Sequence, residues 1–268
     1  MTEPRRTEAR NEKARRLESF TTRQVLELMN DEDATVPAAV RAALPAIERA
    51  VDEIVRAFGA GHRLRYIGAG TSGRLGVLDA SEAPPTFGVD EEAVRGIIAG
   101  GDEALRHSIE GAEDDSSAGA RTASEHVRAG DVLVGISASG RATYVTAAMV
   151  TAREIGARTV ALTCDASSPL AKDADITIAV DVGPEVLAGS SRLKAGTATK
   201  LVLNMLSTAA MIRSGRTRGD LMIDLRPTNA KLRERAIRLV QDETGVSEDQ
   251  ARARLEAAGW SVRKALGS

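Results

Sequence analysis

Five short runs rich in Val and Ile constrain this chain more than any other feature. Leu64–Ile67, Val94–Ile98, Val132–Ile136, Thr159–Leu162 and Ile176–Val180 each span four or five residues, and most end in Gly, Ser, Thr or Asp. Short apolar runs followed by turn-forming residues mark parallel strands buried on both faces. Helical stretches separate them: Gly73–Ala80, Glu103–Glu110, Ala118–Val127 and Tyr144–Ile155. The alternation predicts an α/β fold, a doubly wound, mainly parallel five-stranded sheet with helices on both faces.

Helices flank this core. Thr21–Asn30 and Val36–Gly59 precede it; in the second, Pro37 suits the first turn, Gly59 and Gly61 end it, and Val40, Leu44, Ile47, Val51, Ile54 and Val55 recur at helical spacing. After the last strand, Ala195–Arg213 reads as a long helix. Its stretch Leu201–Ile212 is uncharged and apolar on nearly every side, so it must be buried within the domain or against a second subunit. Beyond the turn-rich Ser214–Asp220 come Asn229–Gln241, Ser247–Ala258, opened by a Ser247–Gln250 capping box, and Ser261–Leu266. This divides the chain into a charged, extended N-terminal arm (1–20), an α/β domain (21–219) and a small C-terminal helical region (220–268).

Composition removes several function classes. The 36 Lys and Arg nearly balance 38 Asp and Glu, for a net charge of −2, unlike the basic surface of a nucleic-acid binder. The longest charge-free stretch, Leu201–Ile212, is too short to span a membrane, and the N-terminus has no apolar signal-peptide core. With Cys164 as its one cysteine, the chain has neither a disulfide framework nor a multi-thiolate metal site. His62, His107 and His126 are too dispersed to suggest ligation. The expectation is a soluble cytoplasmic protein with no nucleic-acid or membrane partner.

In an open α/β sheet, ligands bind where strands end and helices begin. Two such junctions are rich in glycine and hydroxyls: Gly68-Ala69-Gly70-Thr71-Ser72-Gly73 after the first strand, and Ser137-Ala138-Ser139-Gly140-Arg141-Ala142-Thr143 after the third. Small residues let the backbone approach a ligand, while hydroxyls and helix-start amides donate to a phosphate monoester. Ser72, Ser137, Ser139 and Thr143 are the main candidates, with Gly70, Thr71 and Gly140 contributing. A single loop of this kind could be only a turn; two of the same type argue for a site. Positions 68, 70 and 73 match Gly-x-Gly-x-x-Gly, but the second strand ends in Ala99-Gly100-Gly101, without the acid a dinucleotide ribose needs. A Gly-Lys-Ser/Thr P-loop is absent.

The two loops resemble those of the sugar isomerase (SIS) domain. Longer strings, TEARN at Thr7–Asn11, IGAGTSGRLGVLDASEAPPTFG at Ile67–Gly88, IIAGGDEAL at Ile97–Leu105, EGAEDD at Glu110–Asp115 and GSSRLKAGTATKLVLNMLSTAAMI at Gly189–Ile212, resemble the N-acetylmuramic acid 6-phosphate etherase family. The likeness runs from about Thr7 to about Gly245; beyond it, the chain is shorter than the family's usual C-terminal helical part. The resemblance implies cleavage of the D-lactyl ether of N-acetylmuramic acid 6-phosphate by elimination and addition, yielding N-acetylglucosamine 6-phosphate and D-lactate, with no metal and no redox cofactor. It implies Glu113 as the base at C2 and Glu82 as the acid that protonates departing lactate. Glu82 precedes Ala83-Pro84-Pro85, expected to stop the helix and fix the carboxylate's direction. Ser191, Arg192 and Lys194, past the last strand, are expected to help hold a substrate with about three negative charges; Arg74 and Arg141 adjoin the loops but have surface acids as alternative partners. The resemblance also implies a homodimer whose sites can draw residues from both chains. The alternatives are an aldose–ketose isomerase on the same fold, which needs no acid at C3, and a non-catalytic sugar-phosphate-binding regulator.

Overall fold

The computed structural model describes residues 8–225, 227 and 229–267. Two helices, α1 (Thr22–Asp33) and α2 (Val36–Gly59), lead into the alternating unit β1 (Leu64–Gly68), α3 (Gly70–Phe87), β2 (Val94–Ile98), α4 (Ser116–His126), β3 (Val132–Ile136), α5 (Thr143–Ile155), β4 (Arg158–Thr163), α6 (Pro169–Lys172) and β5 (Ile176–Ala179). The strands pair in the order β2-β1-β3-β4-β5, every pair parallel. The long α7 (Lys194–Arg213) follows, then α8 (Ala230–Thr244), α9 (Glu248–Ala257) and α10 (Val262–Ala265).

Side-chain alternation along the strands divides the core in two. Leu64, Tyr66, Val132, Val134, Ile136, Val160 and Leu162 pack under α2, α3 and α7. Ile67, Leu133 and Ala161 point the other way, under α4, α5 and α6. The C-terminal helices have a small core of their own, built from Ile223, Leu225, Ala236, Ile237, Val240, Ala251, Leu255 and Val262. No helix among the described residues is long and apolar enough to cross a membrane.

Three expectations need correction. First, α3 continues through Pro84 and Pro85 to Phe87. A proline removes its own N–H but leaves its carbonyl free, and here Pro84 O accepts the N–H of Gly88, whose positive φ closes the helix. Glu82 therefore lies inside a helix and not beyond its end. Second, Glu103–Glu110 is no α-helix: it holds a 3-10 turn, Asp102–Leu105, and another, Ala112–Asp114, lies beyond it. Arg74 takes the carbonyls of Leu105 and His107, each at 3.1 Å, which a helix would have used internally. Third, the described part of the arm does not extend away. Residues 8–20 form 3-10 turns at Glu12–Ala14 and Leu17–Ser19, held by Asn11 Nδ2 donating to Pro184 O and by Lys13 pairing with Glu32 at 2.9 Å. Residues 1–7 of the arm, including Thr7 of TEARN, lie outside the described residues.

Candidate active site

The strand order places a topological switch point between β1 and β3, where the chain leaves one strand toward α3 on one face and the other toward α5 on the opposite face. Such a fold opens a crevice there at the carboxyl ends of the strands. Both glycine- and hydroxyl-rich loops lie at this crevice, because β1 and β3 are hydrogen-bonded neighbours.

Backbone crowding explains the first loop. A Cβ on Gly68 would stand 2.7 Å from Gly73 N, and one on Gly73 only 2.6 Å from Ile98 Cγ1, so α3 starts hard against the end of β1. No side chain caps α3, which leaves its first amides open at the crevice, with Thr71 and Ser72 half-buried in its first turn. In the second loop, Gly140 N donates to Ser137 O at 2.9 Å and forms a tight turn. Gly140 has φ +64°, and a Cβ there would collide with Ser168 Oγ. Ser137 is buried and Ser139 half-buried; Arg141 N donates to Ser139 Oγ. The start of α5 also lacks a side-chain cap. Cys164 lies beneath this loop, its N–H on Ala138 O; burial pushes its thiol up to about 12, so it stays protonated and inert.

A cavity of about 220 Å³ opens between the first loop and the stretch that replaces the expected helix. Ala69, Gly70, Arg74, Ala99, His107, Glu110 and Glu113 are among its lining residues. Two contacts fix its wall: Arg74 on the Leu105 and His107 carbonyls, and Thr143 Oγ1 donating to Asp114 O at 2.7 Å. Glu113 thus stands between the two loops. Its neighbour Asp115 is occupied elsewhere, accepting from Ala118 N at 2.8 Å and Ser117 Oγ at 2.7 Å to cap α4; these bonds hold its carboxyl below the usual range. A larger cleft of about 590 Å³, lined by Phe58, His62, Arg63, Val89 and Met211, lies at the opposite edge of the sheet, away from both loops.

Ser191 belongs with the loops: a Cβ on Gly196 of α7 would meet both Ser191 O and Thr71 Cγ2 at 3.7 Å. Arg192 is exposed beside it and makes no ion pair among the described residues. Lys194 does not fit the expected role. It is 3% exposed, and its ammonium is taken by Glu32 Oε2 at 2.6 Å. Arg141 faces Asp165 at 3.9 Å. Two acids that the sequence reading missed organise this edge. Glu32 joins Lys13 and Lys194, and Glu185 accepts from the N–H groups of Lys194 and Ala195, both at 3.0 Å, at the start of α7. Neither has a local signal, because their partners are remote in sequence or belong to backbone.

Glu82 is not brought to Glu113 within one chain. It is exposed on α3, twelve residues and about 18 Å along the axis from Gly70, on a stripe with Thr71, Leu75 and Leu78. Leu78 is 54% exposed, and on neighbouring α7 Met205 and Ile212 are 37% and 48% exposed. That outer face of the α3–α7 layer carries uncovered apolar surface. It answers the expectation for Leu201–Ile212 in a divided way, since Val202, Leu203 and Leu206 are buried within the domain.

Comparison with known proteins agrees with this architecture. The family model described as the glucokinase regulatory protein N-terminal SIS domain matches residues 46–153, and the SIS domain model matches residues 114–209. Among solved structures, a phosphoheptose isomerase from Neisseria gonorrhoeae superposes with a TM-score of 0.54 at 20% identity, covering 71% of this chain and 98% of that one. A phosphoheptose isomerase from Francisella tularensis gives 0.54 at 18%, covering 72% and 100%. At these identities the likeness is one of fold. Full-length similarity is closer. An N-acetylmuramic acid 6-phosphate etherase from Jannaschia sp. is 53% identical over 97% of this chain and 83% of its own length. Those of Gloeobacter violaceus and Aeromonas hydrophila are 54% and 52% identical over 97% of this chain and 85% and 88% of theirs. With half of its residues identical across nearly its whole length, the chain belongs to the N-acetylmuramic acid 6-phosphate etherase family.

Proposed function

We infer that the chain acts as a carbon–oxygen lyase on N-acetylmuramic acid 6-phosphate in the breakdown of cell-wall amino sugars, releasing D-lactate and leaving N-acetylglucosamine 6-phosphate. The observation that carries this reading is the meeting of two uncapped helix starts, their hydroxyls and Glu113 at one switch point. The open amide of Gly70 and the hydroxyls of Thr71, Ser72, Ser137 and Ser139 supply neutral donors and favourable dipoles for the phosphate, while the Gly140 N–H and the Thr143 hydroxyl, already donating to Ser137 O and Asp114 O, shape the second loop and the cavity wall. Ser191 and Arg192 flank the same edge and suit the lactyl carboxylate; Lys194, already neutralised by Glu32, does not.

In the open-chain sugar, the C1 aldehyde acidifies the C2 proton. Glu113 takes that proton, the C3–O bond breaks, and lactate leaves with a proton from Glu82. Water then adds to C3 of the unsaturated aldehyde while C2 is reprotonated. Glu82 serves this step from a second copy of the chain. The uncovered apolar surface around Leu78, Met205 and Ile212 supports a homodimer through the α3–α7 layer. The cavity size points the same way: about 220 Å³ in one chain falls short of the roughly 300–1,000 Å³ of typical small-molecule sites, as expected if a partner completes the walls. Phosphate esters of this charge do not cross a bilayer unaided, which supports a cytoplasmic place of action.

Incubation with N-acetylmuramic acid 6-phosphate in ²H- and ¹⁸O-labelled water tests the chemistry. Lactate should appear, with deuterium at C2 and ¹⁸O at C3 of the product. Deuterium exchange or isomerisation without lactate would instead support an isomerase, and binding without turnover a regulator.

A further inference from the structure

We propose that Asp79 is a positioning residue for Glu82: its buried carboxylate locks α3 in rotation against β1 and α7 and so sets the direction in which Glu82 leaves the helix. This rests on the reading of Glu82 as the acid for departing lactate.

The inward face of α3 is smooth. Its buried positions include Gly73, Gly76, Ala80 and Ala83, and a Cβ on Gly76 would stand 3.0 Å from Tyr66 Cβ, so the helix backbone lies directly on β1. Small residues permit this close approach but offer few knobs and holes to resist turning. Asp79 supplies what that surface lacks. It is 8% exposed at the junction of three elements. Its Oδ2 accepts from Tyr66 OH of β1 at 3.0 Å, and its Oδ1 from Asn204 Nδ2 at 2.7 Å and Ser207 Oγ at 3.2 Å, both of α7.

All three donors are neutral. A carboxylate withdrawn from water without a cation is a costly choice if cohesion alone is needed, but hydrogen bonds are directional where apolar contact is not. Burial and the adjoining carboxylate keep the Tyr66 hydroxyl protonated well above its ordinary range, so it remains a donor. Glu82 follows three residues later, about 4.5 Å farther along the axis and on the adjacent, outward side. With side chains reaching a radius of about 5–6 Å, turning α3 by roughly 15° displaces the outer part of the Glu82 side chain by about 1.5 Å. Misplacement on this scale costs about 10²-fold in a positioned reaction.

The test is the Asn204→Ala/Ser207→Ala double variant, assayed with N-acetylmuramic acid 6-phosphate beside Asp79→Asn and Glu82→Gln. Loss of the α7 donors should lower kcat about 10- to 100-fold while KM stays within about threefold, because the phosphate loops are untouched. Asp79→Asn keeps one oxygen for both α7 donors and presents its amide to Tyr66 O, so it should recover kcat to within about threefold of the parent. An unchanged kcat in the double variant, or kcat and KM failing together in both Asp79→Asn and the double variant, overturns the proposal. If the double variant does not fold, Ser207→Ala alone reads the same split on a smaller scale. Glu82→Gln separates the two ideas: normal turnover there removes the underlying assignment, whereas an inactive Glu82→Gln beside a normal double variant removes only the role of Asp79.

Discussion

At the scale of single residues, chemistry here is decided by which groups the backbone leaves unused. The run Glu110–Asp115 holds four acids with the same nominal chemistry. Asp115 caps α4, Asp114 lends its carbonyl to Thr143, and Glu110 and Glu113 face the cavity. Glu113→Gln should therefore lower turnover by about 10²–10⁴-fold, the range for loss of a general base, with binding of inorganic phosphate retained. Asp115→Ala should lose a helix cap and show a small fall in Tm with most activity kept. Steady-state kinetics and thermal melts of both variants check this; the reverse pattern would exchange their roles. Composition could not have separated these acids, because a cap and a base are both carboxylates near a helix start. Lys194 eludes a reading of the sequence for a related reason: its partner Glu32 is 162 positions away, and only the folded chain shows that its charge is spent.

At the scale of elements, the five strands were legible because parallel strands buried on both faces spell short apolar runs. β2 and β3 fall on the expected residues, and the other three within a residue or two. The misjudged stretch between β2 and α4 depends on Arg74, which takes the carbonyls a helix needs from a distant position. The start of α7 is likewise built by remote groups, Glu185 on its amides and Glu32 on Lys194. Burial alone would raise the Glu32 carboxyl, but hydrogen bonds from Lys194 and Lys13 outweigh it and hold it below its ordinary value. A depressed folded-state pKa contributes stability that is complete above the unfolded value, near 4.5, and is lost as pH falls through the lower folded value. Glu32→Gln should thus destabilise the protein at pH 7 by on the order of 3 kcal/mol, since it leaves a buried ammonium without a counter-charge. The gap from the parent should narrow below about pH 4.5. Denaturant midpoints at pH 7 and pH 4 measure it; a gap that does not change with pH would remove the ion pair from the account.

At the scale of the whole molecule, the two carboxylates proposed for catalysis lie in opposite parts of the fold, Glu113 at the carboxyl edge of the sheet and Glu82 far down α3. A sequence places them thirty-one positions apart but carries no measure of which copy of the chain each serves. Twofold symmetry makes that question answerable by arithmetic. If each site takes Glu113 from one chain and Glu82 from the other, a mixed dimer of Glu82→Gln and Glu113→Gln chains has one site with both substitutions and one with neither. Refolding the two inactive variants together in equal amounts gives mixed dimers as about half of the population. Lactate release should then return to roughly a quarter of the parent rate. If both carboxylates serve the site of their own chain, every site keeps one defect and mixing restores nothing. Ile212→Lys and Met205→Lys, on the uncovered face of α7, should lower the molecular mass in solution to that of one chain and prevent the recovery.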